Sequence, residues 1–301
     1  EKSILSKHPW IFSGAIAKEP KDLKEGTIVS VIDHNKNYLA TGHFHKATIS
    51  VRCLDFEDNT IDLAFWTNKI RNAYNFRKTL GLIDNPATTI YRLVHGEGDG
   101  CPGLVIDIYD KTAIIQVYTK GMYDALSFIN DALLNVYKEN IKAIYSKSAE
   151  TLAKHGVQNI IDDYTYRHED FREADFALEN SLKFKINYVE GQKTGFFIDQ
   201  RNNRSLVQHY AKSKSVLNTF CYTGGFSLYA LQGGASKVVS VDSSKKAMEG
   251  VEANVQLNFP KANHEGTTED VMTYLKKSNE QFDLIILDPP AYAKHLSQVK
   301  N

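Results

Sequence analysis

Residues 215–243 read SVLNTFCYTGGFSLYALQGGASKVVSVDS, and the rest of the chain is understood outward from them. The stretch begins with the apolar run Val216-Leu217 and passes through a small-residue turn ending Thr223-Gly224-Gly225. It continues as a helical pattern through Phe226, Leu228, Tyr229 and Leu231, and a second apolar run, Val238 to Val241, stops at Asp242. That is strand, glycine turn, helix, strand, acid. Glycines after a strand let the backbone turn sharply and let a ligand approach closely, because no Cβ intervenes. An acid ending the next strand can accept both hydroxyls of a ribose, as in nucleotide-binding α/β sheets. The dinucleotide pattern G-x-G-x-x-G and a phosphate loop ending in Gly-Lys-Ser/Thr are both absent, so the turn suits a ligand with ribose and adenine but no pyrophosphate, such as S-adenosylmethionine. Taken by itself the stretch also fits an ordinary βαβ crossover whose glycines only make a turn.

A chain of 301 residues has room for two or three domains, each with its own core. Its 36 basic and 36 acidic residues balance, so RNA contacts would have to come from local patches and not from a global field. The three cysteines, Cys53, Cys101 and Cys221, are scattered without a C-x-x-C pair, which fits a reducing cytoplasm and argues against a disulfide scaffold or zinc site. With no long apolar run and no signal-peptide pattern, a cytoplasmic protein without a membrane partner is expected.

Residues 1 to about 60 read as short strands separated by turns, a small β-rich module or barrel. At its start His8-Pro9-Trp10-Ile11-Phe12 places two aromatics where they would either stack on unpaired bases or close one end of the barrel. His43 and His45 share a strand face without a third ligand at metal spacing, so they are expected as surface histidines and no metal site is expected. From Asp62 a 3.6-residue period through Trp66, Ile70, Ala73 and Arg77 predicts a helix, and a domain boundary is placed near residue 66. Strands at 89–94, 104–109 and 112–118 follow, then one helix over 121–139 and a strand at 143–145. These predict a small central α+β domain over 67–175. Its acidic glycine turn, residues 95–100, lacks a calcium-ligand ladder and reads as a tight connection.

Residues 182–188 alternate as a strand and lead into a loop, 189–204, rich in glycine, aromatic and polar residues, which either lines a site or only connects. After Asp242 come a helical pattern, the acid pair Glu269-Asp270, a short helix, and an apolar run over 282–287 that reads as a buried strand. This run enters Asp288-Pro289-Pro290-Ala291-Tyr292, holding a carboxylate and a ring rigidly at the carboxyl edge of a parallel sheet.

Asn218 to Phe226, Val241-Asp242-Ser243 and Asp288 to Lys294 together resemble the motifs of Rossmann-like S-adenosylmethionine-dependent methyltransferases. With Thr194 to Arg201 and His8 to Gly14 added, the chain is similar, over nearly its whole length, to the RlmI-like family of large-subunit ribosomal RNA cytosine methyltransferases. The resemblance implies a multidomain protein: a PUA-like RNA-binding domain (1–66), a central α+β domain (67–175), and the N-terminal part of a Rossmann-like α/β domain (176–301) with an incomplete sheet. It implies S-adenosylmethionine as cofactor, large-subunit ribosomal RNA as partner and 5-methylcytosine as product, and leaves a homodimer open. Asp242 would bind the ribose, Gly224 would lie close to the cofactor and Asp270 would meet the adenine. Phe197, Asp199 and Gln200 would close over the methionine end, with Asn218, Phe220, Tyr222, Thr223, Ser243 and Asp288 completing the cofactor contacts. Asp288 would also face the target base, beside Pro289, Pro290 and Tyr292.

The resemblance also implies a nucleophilic cysteine that attacks the base ring, in a part of the family's fold beyond Asp288 to Tyr292. Cys221, within the cofactor turn, is expected to be a bystander, and the sequence is therefore expected to be a fragment whose last strand leaves an exposed edge. Two alternatives stay open: an RNA-binding protein whose methyltransferase fold does not catalyse, and an amino-group methyltransferase using the Asp-Pro-Pro-Tyr edge without a cysteine.

Overall fold

The computed structural model describes residues 2–290, so the expectation for Tyr292 lies outside the described residues. The chain forms two compact units, Glu1–Ala174 with Ile186–Phe196, and Asp175–Lys185 with Phe197–Asn301.

The first unit opens with α1 (Lys2–Leu5) and the strands β1 (Trp10–Phe12), β2 (Ile28–Ile32), β3 (Tyr38–Phe44) and β4 (Ile49–Asp55). They make an antiparallel sheet in the order β1-β4-β3-β2, with Ile11, Ala40, Val51 and Cys53 in its core. Val51 and Cys53 of β4 face this core, while Ser50 and Leu54 on the opposite face are buried too, so the period-2 reading of 48–54 holds for side-chain direction but the strand is covered on both faces. Next come α2 (Leu63–Thr79), β5 (Ile90–His95), β6 (Leu104–Tyr109), β7 (Thr112–Val117), α3 (Lys120–Asp124), α4 (Leu126–Tyr137), β8 (Ala143–Ser146), α5 (Ala149–Lys154) and β9 (Asp163–Arg167). Asp62 caps α2, its side chain accepting from the Phe65 amide at 2.9 Å. The buried stripe of α2, Trp66, Ile70, Ala73 and Arg77, falls on the predicted positions. The five strands pair in sequence order, and only β7 and β8 run parallel. The helix expected over 121–139 is two helices, interrupted at Ala125, and β9 was not foreseen.

Two readings of this unit are corrected. His43 and His45 are buried, at 2% and 4% exposure, not on the surface. A Cβ on Gly121 would come within 2.3 Å of the His43 ring, so the glycine lets α3 close over it. Burial, aided by the neighbouring His45, pushes the His43 imidazole down to about 4. The acidic glycine turn is also more than a connection. Asp99 binds the Arg77 guanidinium through both oxygens, while Glu97 accepts from the Trp10 indole at 2.7 Å and from Arg52 at 3.3 Å. The turn thus ties the first sheet and α2 to β5. Trp10 is held in that junction, whereas Phe12 is 46% exposed.

The second unit contains the hairpin β10 (Ala177–Glu179) and β11 (Leu182–Phe184), then α6 (Arg201–Tyr210), β12 (Ser215–Thr219), α7 (Gly225–Gln232), β13 (Lys237–Asp242), α8 (Lys245–Asn258), β14 (His264–Thr268), α9 (Val271–Lys277) and β15 (Leu284–Leu287). Asn180 and Ser181 both take positive φ, 50° and 69°, which makes a two-residue hairpin turn where a longer strand over 182–188 was expected. The four strands β14-β13-β12-β15 are all parallel. Val216, Val238, Leu284 and Ile286 face one apolar layer with Ala211 and Ala230. Leu217, Val239 and Val241 face another with Val271 and Tyr274. Burial on both faces explains why the central strands read as continuous apolar runs.

β15 departs from the expected fully buried strand. It is four residues long, and Ile285 and Leu287 are 54% and 60% exposed. Only its β12 side is paired among the described residues, and the layer around Val271 does not reach across its outer face.

Candidate cofactor and substrate site

Parallel pairing aligns the carboxyl ends of the four strands. Thr219 pairs with Val241 and Leu287, and Asp242 with Thr268, so the segments that follow all emerge along one edge. The chain runs outward from β12 to β13 to β14, then returns to the other side of β12 with β15. The strand order therefore reverses at β12, the place where open α/β sheets bind ligands. The Thr219 hydroxyl donates to the Ile286 carbonyl at 2.8 Å, fixing β15 to β12 just before the crevice.

The turn after β12 is held in an unusual backbone shape. Phe220 and Tyr222 take φ of 51° and 48°, and Gly224 takes 80°. Side chains at such φ cost roughly 1–2 kcal/mol each, a strain that persists only where surrounding contacts over-determine the loop. A Cβ on Gly224 would add crowding 3.2 Å from Val251 Cγ1. Asp242 supplies one of the holding contacts: its Oδ2 accepts the Tyr222 amide and its Oδ1 accepts the Ser244 amide, each at 2.9 Å. Each oxygen retains a second lone pair, so the half-buried carboxylate can still accept hydroxyls. Thr223 is fixed through its carbonyl, which accepts from Asn254 Nδ2 at 2.9 Å, and Ser243 is exposed.

Asp270 sits just past β14 and caps α9, where Oδ1 accepts both the amide and the hydroxyl of Thr273 at 2.9 Å. The Thr273 amide holds its carboxyl below the usual range. The Glu269 amide donates to the Asp242 carbonyl at 3.1 Å, which keeps the two acids on neighbouring turns. Asp288, Pro289 and Pro290 are exposed immediately after β15.

The loop before α6 meets the glycine turn through an aromatic contact: the Phe197 and Tyr222 rings stand edge to face with centroids 5.4 Å apart. Asp199 is exposed, and Gln200 Oε1 accepts from Asn203 at 2.7 Å. Phe197, Asp199, Gln200, Phe220, Tyr222, Thr223, Gly224, Asp242, Ser243, Asp270 and Asp288 thus lie on turns at or beside one sheet edge. Asn218 differs. It is fully buried on β12, its amide donating to Ser227 Oγ at 2.9 Å while its Oδ1 has no partner among the described residues.

The cysteines offer no nucleophile here. Burial pushes Cys53 up to about 11 and Cys101 up to about 12, and raises Cys221 further, with Asp242 adding to the effect. Cys221 Sγ lies 3.6 Å from Met248 Sδ. No group of three or more His, Cys, Asp or Glu side chains among the described residues could hold a metal ion. No helix among them is long and apolar enough to cross a membrane.

Sequence reasoning missed Glu179, Arg201 and Arg204. Glu179 is fully buried and accepts from Arg204 Nε and Nη2 at 2.8 Å, Arg201 Nε at 3.0 Å and the Tyr229 hydroxyl at 3.0 Å. The arginine spacing, three apart at the start of a helical pattern, was visible; the acid they share, on a three-residue strand, was not.

The parallel sheet with its glycine turn and acid at the reversal point is the fold of a nucleotide-type methyltransferase, and the comparisons agree. A family of S-adenosylmethionine-dependent methyltransferases matches residues 160–300, and a PUA-like domain family matches residues 1–56. The protein is an S-adenosylmethionine-dependent methyltransferase with a PUA-like domain. Ribosomal RNA large subunit methyltransferase I of Enterobacter sp. (strain 638) is 36% identical, covering 99% of this chain and 76% of the relative. Its counterpart in Escherichia coli (strain SMS-3-5 / SECEC) is 35% identical over the same shares. The chain belongs to the ribosomal RNA large subunit methyltransferase I family. Among solved structures, a protein from Streptococcus mutans described as a SAM-dependent methyltransferase superposes with TM-score 0.81 at 26% identity, covering 96% of this chain and 74% of its own. Another, described as a methyltransferase complexed with SAH, gives TM-score 0.82 at 25% identity, covering 97% and 74%.

Proposed function

We propose that this methyltransferase acts on large-subunit ribosomal RNA and forms 5-methylcytosine, with residues 1–66 contributing RNA contacts and residues 67–175 forming the central α+β domain. The observation that carries the reading is the convergence of Asp242, the strained turn 220–224, Asp270 and Asp288 on one edge where the strand order reverses. The relatives named ribosomal RNA large subunit methyltransferase I support the substrate.

In this reading Asp242 accepts the ribose hydroxyls with the lone pairs left over from Tyr222 and Ser244, and Gly224 gives the close approach. Phe220, Tyr222 and Ser243 flank the nucleoside, and the Asp270 carboxylate accepts from the adenine amino group. Asp199 faces the ammonium of the methionine end beneath Phe197 and Gln200, while Asn218, bonded to the Ser227 hydroxyl, and Thr223, held through its carbonyl by Asn254, keep the strand end and the glycine turn in place. S-adenosylmethionine supplies an electrophilic methyl group. Asp288, held by Pro289 and Pro290, accepts hydrogen bonds from the flipped base, which Tyr292 would flank.

One observation favours a second reading. Asp288 is exposed immediately after β15 beside Pro289 and Pro290, an edge that also suits transfer to an exocyclic amino group. Methylation of an exocyclic amino group next to Asp288 needs no thiolate. Two measurements test these readings. Asp242→Ala should weaken S-adenosylmethionine binding at least about tenfold in calorimetry and leave RNA affinity unchanged; equal losses contradict the ribose role. Nucleoside mass spectrometry of large-subunit RNA from cells lacking the gene should show one 5-methylcytosine missing. A missing N4-methylcytosine selects the second reading, and unchanged RNA rejects both.

A further inference from the structure

The Glu179 cluster is built more heavily than a hairpin needs. Glu179 is fully buried and Arg204 is 2% exposed, so three of the guanidinium's donors are committed in the interior. Nε and Nη2 hold the carboxylate, and Nη1 donates to the Phe197 carbonyl at 2.9 Å. Only a rigid planar fork can place donors on a carboxylate and, at a fixed angle, on a backbone oxygen. Arg201 and Tyr229 complete the carboxylate's partners from α6 and α7, and Asn180 donates to the Tyr229 hydroxyl at 3.0 Å. The carboxylate is therefore fixed from the hairpin and both helices before it receives Arg204.

From the Phe197 carbonyl the contacts continue toward the glycine turn. The Phe197 ring packs edge to face on Tyr222, and the Tyr222 amide donates to Asp242. On its other side the Arg204 stem lies against the turn itself: a Cβ on Gly225 would stand 3.1 Å from Arg204 Cδ. Gly225 lacks a positive φ that would require glycine, so it is the close approach of Arg204 that leaves no room for a side chain there.

We propose that Arg204, seated on Glu179, is a positioning residue for the cofactor: it fixes Phe197 and the turn 197–200 against Tyr222 and the glycine turn before the cofactor arrives. A loop held in its bound shape binds without an ordering cost, and the gain is read as affinity. This rests on the assignment of Phe197, Asp199, Gln200 and Asp242 to the cofactor.

The test compares Arg204→Lys, Tyr229→Phe and Asp242→Ala in the full chain, with S-adenosylhomocysteine as the calorimetric probe and the thermal midpoint measured beside it. Lysine keeps the charge opposite Glu179 but cannot also reach the Phe197 carbonyl. Arg204→Lys should weaken binding about tenfold, whereas Tyr229→Phe, which removes one hydrogen bond to Glu179, should lower the midpoint and change affinity by less than about twofold. Affinity that falls with the midpoint in both variants, or that survives Arg204→Lys, overturns the inference. If Asp242→Ala binds as well as wild type, the cofactor assignment fails and takes the inference with it. If Asp242→Ala is weak while Arg204→Lys is unchanged, only the inference fails. Should Arg204→Lys not fold, Gly225→Ala displaces Arg204 by steric contact alone: a loss of about threefold or more supports the inference, and unchanged affinity overturns it.

Discussion

Among the described residues each unit has one fully buried carboxylate clasped by arginine, and the two do different work. In the first unit Asp107, on β6, receives Arg92 through both oxygens, at 2.8 and 2.9 Å, and the Thr194 hydroxyl at 2.6 Å. Arg92 is 30% exposed, and Thr194 is further linked to the Tyr109 hydroxyl at 3.0 Å. In the second unit Glu179 receives Arg204 and Arg201, whose side chains are 3% and 18% exposed. Asp107 fixes residue 194 of the run 191–204, and Glu179, through Arg204, fixes residue 197. The difference lies in solvent. Arg92 can be rehydrated if its acid is lost, whereas Arg204 cannot, so the same chemical pair is a brace in one unit and a keystone in the other.

Removal of the acids is the strongest way to break that contrast. Glu179→Ala strands Arg204 without its counter-charge and should cost about 3–5 kcal/mol, while Asp107→Ala, beside a partly solvated arginine, should cost about 2 kcal/mol. Urea unfolding followed by a probe in each unit reads both values, and equal costs would erase the distinction drawn here.

Acid should separate the units next. The folded His43 pKa, about 4, lies below its ordinary value near 6.5, so the unfolded chain binds the extra proton between these limits. Its contribution is full above pH 6.5 and is lost as pH falls toward 4, a change of about 3 kcal/mol. His45 is lowered in the same direction by burial, opposed by its bond to Glu25. His264, the buried histidine of the second unit, is lowered too but faces Glu252 and Glu265, which favour its charged form. Hydrogen exchange at pH 5 should therefore open peptides of β3 before those of β13, and His43→Phe should remove the difference. Simultaneous opening of both in wild type would count against this account.

The smallest effect sharpens the comparison most. Thr194→Val keeps shape and removes one hydroxyl from Asp107, which should cost about 1 kcal/mol in urea unfolding. Affinity for S-adenosylhomocysteine should not change, because residue 194 is held separately from residue 197.

Much of the second unit was legible in the sequence. The runs Val216-Leu217 and Val238 to Val241 are strands, the glycine turn falls between β12 and α7, and Asp242 ends β13, because period, turn chemistry and chain order are local properties. The same locality misled elsewhere. His43 and His45 show only that they share a strand face, and nothing within a few residues reveals that Gly121, far along the chain, covers one of them. The run 282–287 is apolar enough for a buried strand, yet burial of Ile285 and Leu287 depends on what covers β15 and not on their own hydrophobicity.

By itself the sequence determined the strands, glycine turn and acid of residues 215–243, the methyltransferase motifs and the family. The tertiary structure decided which charges are buried and whom they meet. Glu179 and Tyr229 are 50 positions apart, and Asp107 and Thr194 are 87 apart. Backbone periodicity is written in neighbouring residues, whereas the desolvation of a charge is set by every element that packs around it, and that sum exists only once the chain has folded.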